Sequence, residues 1–187
     1  MSDQPEIQKL LLQCRQGNSA ALGRLVDLYA ARCYGYFYRL TSNRDTSEEL
    51  LSDLYIRLVE KIDSFQGGSF EKWLFTIASN LFRDHLRKQY RQKRLLEEKV
   101  RLVEIESGPD REMDGELADR LQKGIQSLDT DTAELIMMRF YGDLSFKELA
   151  EIRSEPIGTT LSKVHRGLKK LKEWMEKPYE GNTGTTE

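Results

Sequence analysis

Apolar residues recur at intervals of three and four along most of the chain, which is the spacing that places them on one face of an α-helix. The first half shows a short helix over residues 5–16 and three long periodic segments that start near Ser19, Thr46 and Phe70. We predict four helices here, with Thr46 and Glu49 as the capping box of the third and a loop over 63–69 before the fourth. The three long apolar stripes are Leu22, Leu25, Val26, Tyr29, Cys33, Phe37 and Leu40, then Leu50, Leu51, Leu54, Leu58 and Ile62, then Trp73, Leu74, Ile77, Ala78, Leu81, Phe82 and Leu86.

The second half predicts four more helices, separated by capping and turn residues. The first carries the stripe Leu117, Leu121, Ile125 and Leu128. The second is expected to start at Asp131 with Glu134 and to end at Gly142. A capping box of Ser145 and Glu148 should open the third, which ends at a turn over Arg153–Glu155. The last helix should run from Pro156 or Ile157 to Met175. Ile157, Val164, Leu168 and Leu171 are the predicted buried stripe of that last helix, flanked by Thr160 and Gly167. The sequence shows no strand pattern, so the predicted fold class is all-α.

Charge divides the chain. Of 187 residues, 29 are basic and 31 acidic, so the formal net charge is −2 and a uniformly basic surface is excluded. Residues 95–119 hold nine acids against three bases around a Ser-Gly-Pro-Asp turn signal, which indicates a linker. We therefore predict two small helical domains, residues 1–95 and residues 117–177. A flexible acidic linker over 96–116 would join them, and residues 178–187 would form a disordered tail.

Residues that carry catalytic or metal chemistry are scarce. The two cysteines and two histidines form neither a disulfide framework nor a cluster with zinc spacing. We expect no catalytic residues, no metal and no cofactor. The longest apolar run has six residues and no leader-like segment opens the chain, so we also expect no membrane insertion and a cytoplasmic protein.

The last two predicted helices have the plan of a helix-turn-helix, in which the second helix lies in the major groove of DNA. From Pro156 to Lys172 there are five basic residues and no acid. Basic and hydroxyl side chains there would meet phosphates and base edges. The alternative is a solvated lysine-rich face at a helix C-terminus, which the helix dipole favours.

A second basic segment covers residues 71–94, where seven bases meet two acids and aromatic residues are interleaved. This combination suits single-stranded nucleic acid. The loop over 64–69 could close over an extruded base, and Asn80 has the donors and acceptors to read its edge. The alternative is that aromatic residues such as Trp73 and Phe82 belong to the core.

The third helix differs, because residues 44–63 hold six acids and three bases. An acidic amphipathic helix favours a protein partner over DNA. A plain solvated face is the alternative from composition alone.

These segments together resemble a bacterial RNA polymerase sigma factor of the extracytoplasmic-function (ECF) group in the sigma-70 family. The resemblance covers about residues 10–175 and rests on three groups of residues. The first is Ser47-Glu48-Glu49-Leu50-Leu51-Ser52-Asp53-Leu54-Tyr55. The second is Phe65-Gln66-Gly67-Gly68-Ser69-Phe70 with Trp73-Leu74, Ile77-Ala78-Ser79-Asn80, Asp84 and Arg87. The third is Leu149-Ala150-Glu151-Ile152 and Pro156-Ile157-Gly158-Thr159 with Ser162, His165 and Arg166.

The resemblance implies a role for each site. Core RNA polymerase would be bound by Glu48, Glu49, Leu50, Asp53, Leu54 and Tyr55. The minus-10 element would be opened and read by Phe65, Ser69, Phe70, Asn80, Arg83, Arg87, Lys88 and Arg91. The minus-35 duplex would be read by Thr159, Thr160, Ser162, Lys163, Arg166 and Lys170. An anti-sigma factor is a further possible partner, and catalysis would belong to the polymerase.

Several positions depart from the family pattern. Ser79 stands where a basic residue is usual, Thr160 where an apolar core residue is usual, and Leu161 where a basic exposed residue is usual. The other departures are Glu49 for Asp, Ser52 for Gln, Asp53 for Glu, and Ser154 where the turn often has Gly. Two other functions are compatible with parts of the sequence. A stand-alone helix-turn-helix regulator would bind duplex DNA without polymerase, whereas an all-helical enzyme would have only Asp84-His85 and the acidic helix for its chemistry.

Overall fold

The computed structural model describes residues 4–99 and 115–177, and within these two ranges the chain is helical without any strand. The predicted all-α class is therefore confirmed. Most of the predicted linker and the whole predicted tail lie outside the described residues, so both stay predictions. The helices are α1 (Gln4–Arg15), α2 (Ser19–Thr41), α3 (Arg44–Lys61), α4 (Phe70–Lys99), α5 (Glu116–Gln126), α6 (Thr130–Tyr141), α7 (Phe146–Arg153) and α8 (Ile157–Glu176), with one 3₁₀ turn at Ile62–Ser64.

Three of the predicted helix starts are wrong by one to three residues, and for the same reason. In each case an Asn or Asp stands earlier, in extended backbone, and its side-chain oxygen accepts from an N–H two or three residues on. The observed N-caps are Asn18 for α2, Asn43 for α3 and Asp129 for α6, in place of Ser19, the Thr46–Glu49 box and Asp131 with Glu134.

The capping box that opens α7 is confirmed. The Glu148 N–H donates to Ser145 Oγ at 3.3 Å, and the Ser145 N–H donates to Glu148 Oε2 at 2.8 Å. The helix ends at Ser154, which has φ 53° and forms the tight turn into α8. Asparagine, aspartate and glycine favour this left-handed conformation, so the backbone at Ser154 is mildly strained.

The core of the first half forms where the stripes of α2, α3 and α4 meet. The predicted positions Leu25, Cys33 and Phe37 of α2 and Leu54 of α3 are fully buried, and Phe82 of α4 is 1% exposed. Burial also raises the pKa of the Cys33 thiol to about 12, which fits a small apolar role rather than a reactive one. These three stripes confirm the helical periodicity read from the sequence.

The buried face of α8 is rotated from the predicted one. Its buried residues are Thr160, Val164 and Gly167, whereas Ile157 and Leu168 are about half exposed. The reason is Gly167: a Cβ there would lie 2.4 Å from Thr132 Cγ2, so α8 approaches α6 along the side that has no side chain.

The two halves share one continuous core, because α2 packs against α6. At their crossing a Cβ on Gly35 would lie 2.4 Å from Tyr141 Cε1, and Arg32 Nε donates to the Tyr141 carbonyl at 2.6 Å. Phe75 of α4 packs beside Gly142 at the end of α6. Helices that sequence reasoning assigned to separate domains therefore hold each other in place.

Candidate nucleic-acid and polymerase interfaces

The acidic helix α3 presents a mixed face to solvent. Leu50 and Leu54 are buried in the core, which corrects their predicted contact with polymerase, while Glu49 and Asp53 are exposed. Glu48 is also exposed and pairs with Arg44 one turn earlier at 3.0 Å.

Two apolar residues share that exposed face of α3 and were missed by the sequence reading. Ile56 and Val59 are more than half exposed and lie one to two turns from Asp53. Tyr55, in contrast, is half-buried, and burial raises the pKa of its hydroxyl to about 12. The apolar and acidic groups together form a surface suited to a protein partner.

Phe65 and Phe70 are buried, which corrects their predicted contact with an unpaired base. Each is no more than 5% exposed, and their rings meet edge to face with centroids 5.7 Å apart. Trp73 packs against both rings. The Phe65 and Phe70 rings are part of the core and are not free to stack on a base, whereas Trp73 is partly buried.

The loop after Phe65 borders a cavity of about 540 Å³, but the cavity lies between the loop and α1. Gly67 and Gly68 form its rim with φ values of 101° and 88°. Ser69 Oγ accepts from the Lys72 N–H and so caps the start of α4. The loop is shaped for a tight turn beside an open depression.

Asn80 is exposed on α4, but it does not line this cavity. It stands ten residues after Phe70, and ten residues of helix extend about 15 Å. The single pocket expected from the sequence, with loop and Asn80 together, is therefore wrong. Asn80 lies instead two turns before Arg87, on the same side of α4, and Arg87, Lys88 and Arg91 are all exposed.

Arg83, predicted to contact minus-10 DNA, bonds to the second half of the chain. Its Nε donates to Glu134 Oε2 at 3.2 Å and its Nη2 donates to Asp131 Oδ1 at 3.0 Å. Because two carboxylates already hold its guanidinium, it is not available to phosphates in this arrangement. This corrects the predicted role of Arg83.

On α8 the predicted DNA residues fall into two groups. Thr159, Ser162, Arg166 and Lys170 are exposed, as predicted. Thr160 and Lys163 are not free for DNA, which corrects both predictions.

The reason in both cases is Glu155, in the turn before α8. Thr160 is fully buried and donates to Glu155 Oε1 at 2.7 Å. Lys163 Nζ lies 2.6 Å from Glu155 Oε2 and 2.9 Å from Asp131 Oδ2. Both side chains brace α8 against the rest of the second half.

Glu134 is the centre of a buried polar cluster between the two halves, which we call the Glu134 cluster. Its carboxylate is 1% exposed and accepts from Ser79 Oγ, from the Tyr36 hydroxyl at 3.2 Å and from Arg83. Arg153 Nη2 lies 2.8 Å away, on a side chain that is only 3% exposed. Burial raises the pKa of the Glu134 carboxyl, and the surrounding hydrogen bonds and Arg83 oppose that shift.

The sequence contained one signal for this cluster, the serine at position 79. Ser79 is 2% exposed and its hydroxyl faces Glu134, so a longer basic side chain would not fit there without rearrangement. Side chains of α2, α4 and α7 thus meet at one carboxylate of α6.

Comparison with known proteins identifies the family. The profile of Sigma-70 region 2 matches residues 25–92, and that of Sigma-70 region 4 matches residues 118–171. The chain belongs to the sigma-70 family. The two matched ranges lie on either side of the acidic segment.

Several curated relatives of this sigma factor are named as ECF RNA polymerase sigma factors. SigE of Mycolicibacterium smegmatis is 30% identical over 86% of this chain, which spans 65% of that protein. SigW of Bacillus subtilis is 29% identical over 90% of this chain and 96% of its own length. A solved structure of the sigma factor RpoE with the anti-sigma factor NepR from Bartonella quintana matches with a TM-score of 0.68 at 26% identity, covering 84% of this chain and 98% of that one.

These relatives favour an ECF sigma factor, a transcription initiation factor, over the stand-alone regulator. None of the helices within residues 4–99 and 115–177 is long and apolar enough to cross a membrane. The same residues contain no group of three or more histidines, cysteines and carboxylates placed to hold a metal ion.

Proposed function

We propose that this sigma factor binds core RNA polymerase through the exposed face of α3 and reads promoter DNA through α4 and α8. The observation that carries this is the segregation of charge on exposed faces. The outer face of α3 combines acids with Ile56 and Val59, whereas α4 beyond Asn80 and the exposed side of α8 are basic. A protein partner and a nucleic acid are thus offered different surfaces.

The proposed minus-10 contacts are Asn80, Arg87, Lys88 and Arg91, with Ser69 fixing the loop. The proposed minus-35 contacts are Thr159, Ser162, Arg166 and Lys170. The polymerase supplies the chemistry of RNA synthesis, so the chain contributes recognition and has no catalytic residue. We place its action in the cytoplasm, where the polymerase works.

An anti-sigma factor is proposed as a third partner. The support is that RpoE, which shares this fold, is bound by one. The exposed face of α3 is the surface that such a partner would compete for, because its acidic and apolar groups are the ones offered to the polymerase.

The polymerase contact can be tested at Asp53. We expect Asp53→Lys to weaken binding of core RNA polymerase about tenfold or more, about 1.4 kcal/mol, because it reverses a charge in the centre of the acidic face. The side chain is exposed, so the free energy of unfolding should change by less than about 0.5 kcal/mol. Affinity is measured by titrating labelled chain with core enzyme.

Glu6→Lys is the matched control for Asp53→Lys. Glu6 is an exposed acid on α1, outside the proposed contact face, and pairs with Arg24 at 3.0 Å. It should retain core affinity within about threefold if the contact is made by α3. Normal holoenzyme assembly by Asp53→Lys would show that α3 is not the polymerase surface.

Base reading at minus-10 can be tested at Asn80. We expect Asn80→Ala to relax preference at one minus-10 position and to lower open-complex formation, because an amide that reads a base edge is lost. Arg87→Ala should weaken opening on all promoters alike, since a phosphate contact carries no sequence information. The measurement is transcription from promoters with every base at each minus-10 position.

Gln89→Ala is the control, because Gln89 is another exposed polar residue on α4. It should leave both base preference and opening unchanged. An Asn80→Ala holoenzyme with unaltered preference at every minus-10 position would remove Asn80 from the reading surface.

A further inference from the structure

The exposed side of α8 carries an apolar residue where a DNA-reading helix needs polar or basic ones. Leu161 is 48% exposed, although it stands on the most basic helix of the second half. The buried face of α8 runs through Thr160, Val164 and Gly167, so the core does not use Leu161. Its exposure therefore needs an explanation outside the fold.

The neighbours of Leu161 are the residues proposed to meet DNA. Leu161, Ser162, His165 and Arg166 line one shallow depression of about 460 Å³ on the surface of α8. Gly158 lies one turn earlier, on the same side of the helix, with open space where a Cβ would be. The bare backbone at Gly158 would let this part of the helix approach a base pair closely.

The position of Leu161 along the helix places it among base-contacting residues. In helix-turn-helix proteins the N-terminal residues of the second helix contact base edges. Leu161 is the fifth residue of α8, whereas Leu168, which is equally exposed, lies about 10 Å further along the axis. Of these two leucines, Leu161 is the one within reach of bases.

The chemistry of the major groove restricts what a leucine can recognise. Every base edge there offers hydrogen-bond donors or acceptors, and the one apolar group is the C5-methyl of thymine. A leucine cannot pair with guanine as a lysine or arginine does. The absence of acids from Pro156 to Lys172 favours DNA over a protein as the ligand of this surface.

We infer that Leu161 is a specificity-determining residue that contacts the C5-methyl group of a thymine in the minus-35 element. Ser162, His165 and Arg166 then supply the hydrogen bonds around it. The inference rests on the proposed function, because it requires α8 to dock in the promoter duplex.

The experiment uses holoenzyme, reconstituted from core RNA polymerase and the full chain, to select from a promoter library with a randomised minus-35 region. Wild-type holoenzyme should enrich thymine at one position. The Leu161→Ala holoenzyme should lose that preference, and Leu161→Lys should move it to guanine. Leu168→Ala is the matched control and should keep the thymine.

A second step tests the methyl group itself. One selected promoter is synthesised with uracil in place of that thymine, which removes only the C5-methyl. Burial of one methyl group corresponds to a factor of about three to five in binding, so wild-type affinity should fall by that factor and Leu161→Ala affinity should not change.

The outcomes separate the inference from the proposed function. If Leu161→Ala keeps the thymine preference, or uracil weakens both proteins equally, Leu161 is not the reader, although the promoter function stands. If Leu161→Ala and Leu168→Ala instead both weaken core binding with unchanged preference, the leucines belong to a protein interface and the inference is overturned. A wild-type holoenzyme that enriches no sequence would overturn the proposed function and the inference with it.

Discussion

Replacing Glu134 by alanine is expected to lower the free energy of unfolding by about 3–5 kcal/mol, because it removes the nearest and most buried counter-charge of a buried cation. The cation is Arg153, whose side chain is 3% exposed and lies 2.8 Å from the Glu134 carboxylate, with the more exposed Asp131 Oδ1 at 3.4 Å. The Tyr36 hydroxyl and Ser79 would lose their acceptor at the same time. Urea denaturation of the wild-type and variant chains measures the loss.

Two further variants test the cause of this loss. Glu134→Gln keeps the shape of the side chain and some hydrogen bonds, so it should cost less than alanine. Glu60→Gln removes a carboxylate from an exposed pair with Arg57, which is worth no more than about 1 kcal/mol. If Glu134→Ala costs no more than Glu60→Gln, the Glu134 cluster does not hold the two halves together.

The second large effect is expected at Leu54, in the centre of the first-half core. Leu54 is fully buried, so Leu54→Ala should lower the free energy of unfolding by about 2–5 kcal/mol through lost burial and a cavity. The same measurement on Ile56→Ala, two residues further along α3, should show a change within about 0.5 kcal/mol, because Ile56 is 56% exposed.

The same pair of variants separates fold from partner binding. Ile56→Ala should weaken core polymerase binding while the chain stays folded, since Ile56 lies on the proposed contact face. Equal stability losses for the two variants would contradict the orientation of α3. Unchanged polymerase affinity in Ile56→Ala would remove the apolar part of the proposed interface.

The stripes of the long helices could be predicted from the sequence because each packs through a wide run of large apolar residues. Leu25, Leu54 and Phe82 follow that pattern and are buried. The face of α8 could not be predicted in this way. Its buried residues include Gly167, which leaves no room for a Cβ beside Thr132, and Thr160, and hydrophobicity marks neither of them as core.

The site predictions depended on what periodicity leaves open. Phe65 lies in a loop and Phe70 at a helix start, where hydrophobic periodicity does not distinguish buried from exposed rings. Both rings are buried in the core. Asn80 is near the loop in sequence, which suggests one shared pocket. Ten residues of rigid helix separate it from Phe70, so the two do not share one.

The Glu134 cluster lies beyond any local pattern. Its partners Tyr36, Ser79 and Arg83 stand 51 to 98 residues away along the chain. Only packing of α2 and α4 against α6 brings them together. The charge of Arg83 was visible in the sequence, but its use within the protein was not.

The central claim is that this chain recognises promoters as a subunit of RNA polymerase. The most direct measurement compares binding of one promoter duplex by the free chain and by the chain with core enzyme, at physiological salt and over a salt series. We predict weak, steeply salt-dependent binding by the free chain, whose net charge is −2, and sequence-specific binding once core enzyme is added. Tight, specific duplex binding by the free chain, unchanged by core polymerase, would contradict the account and favour a stand-alone regulator.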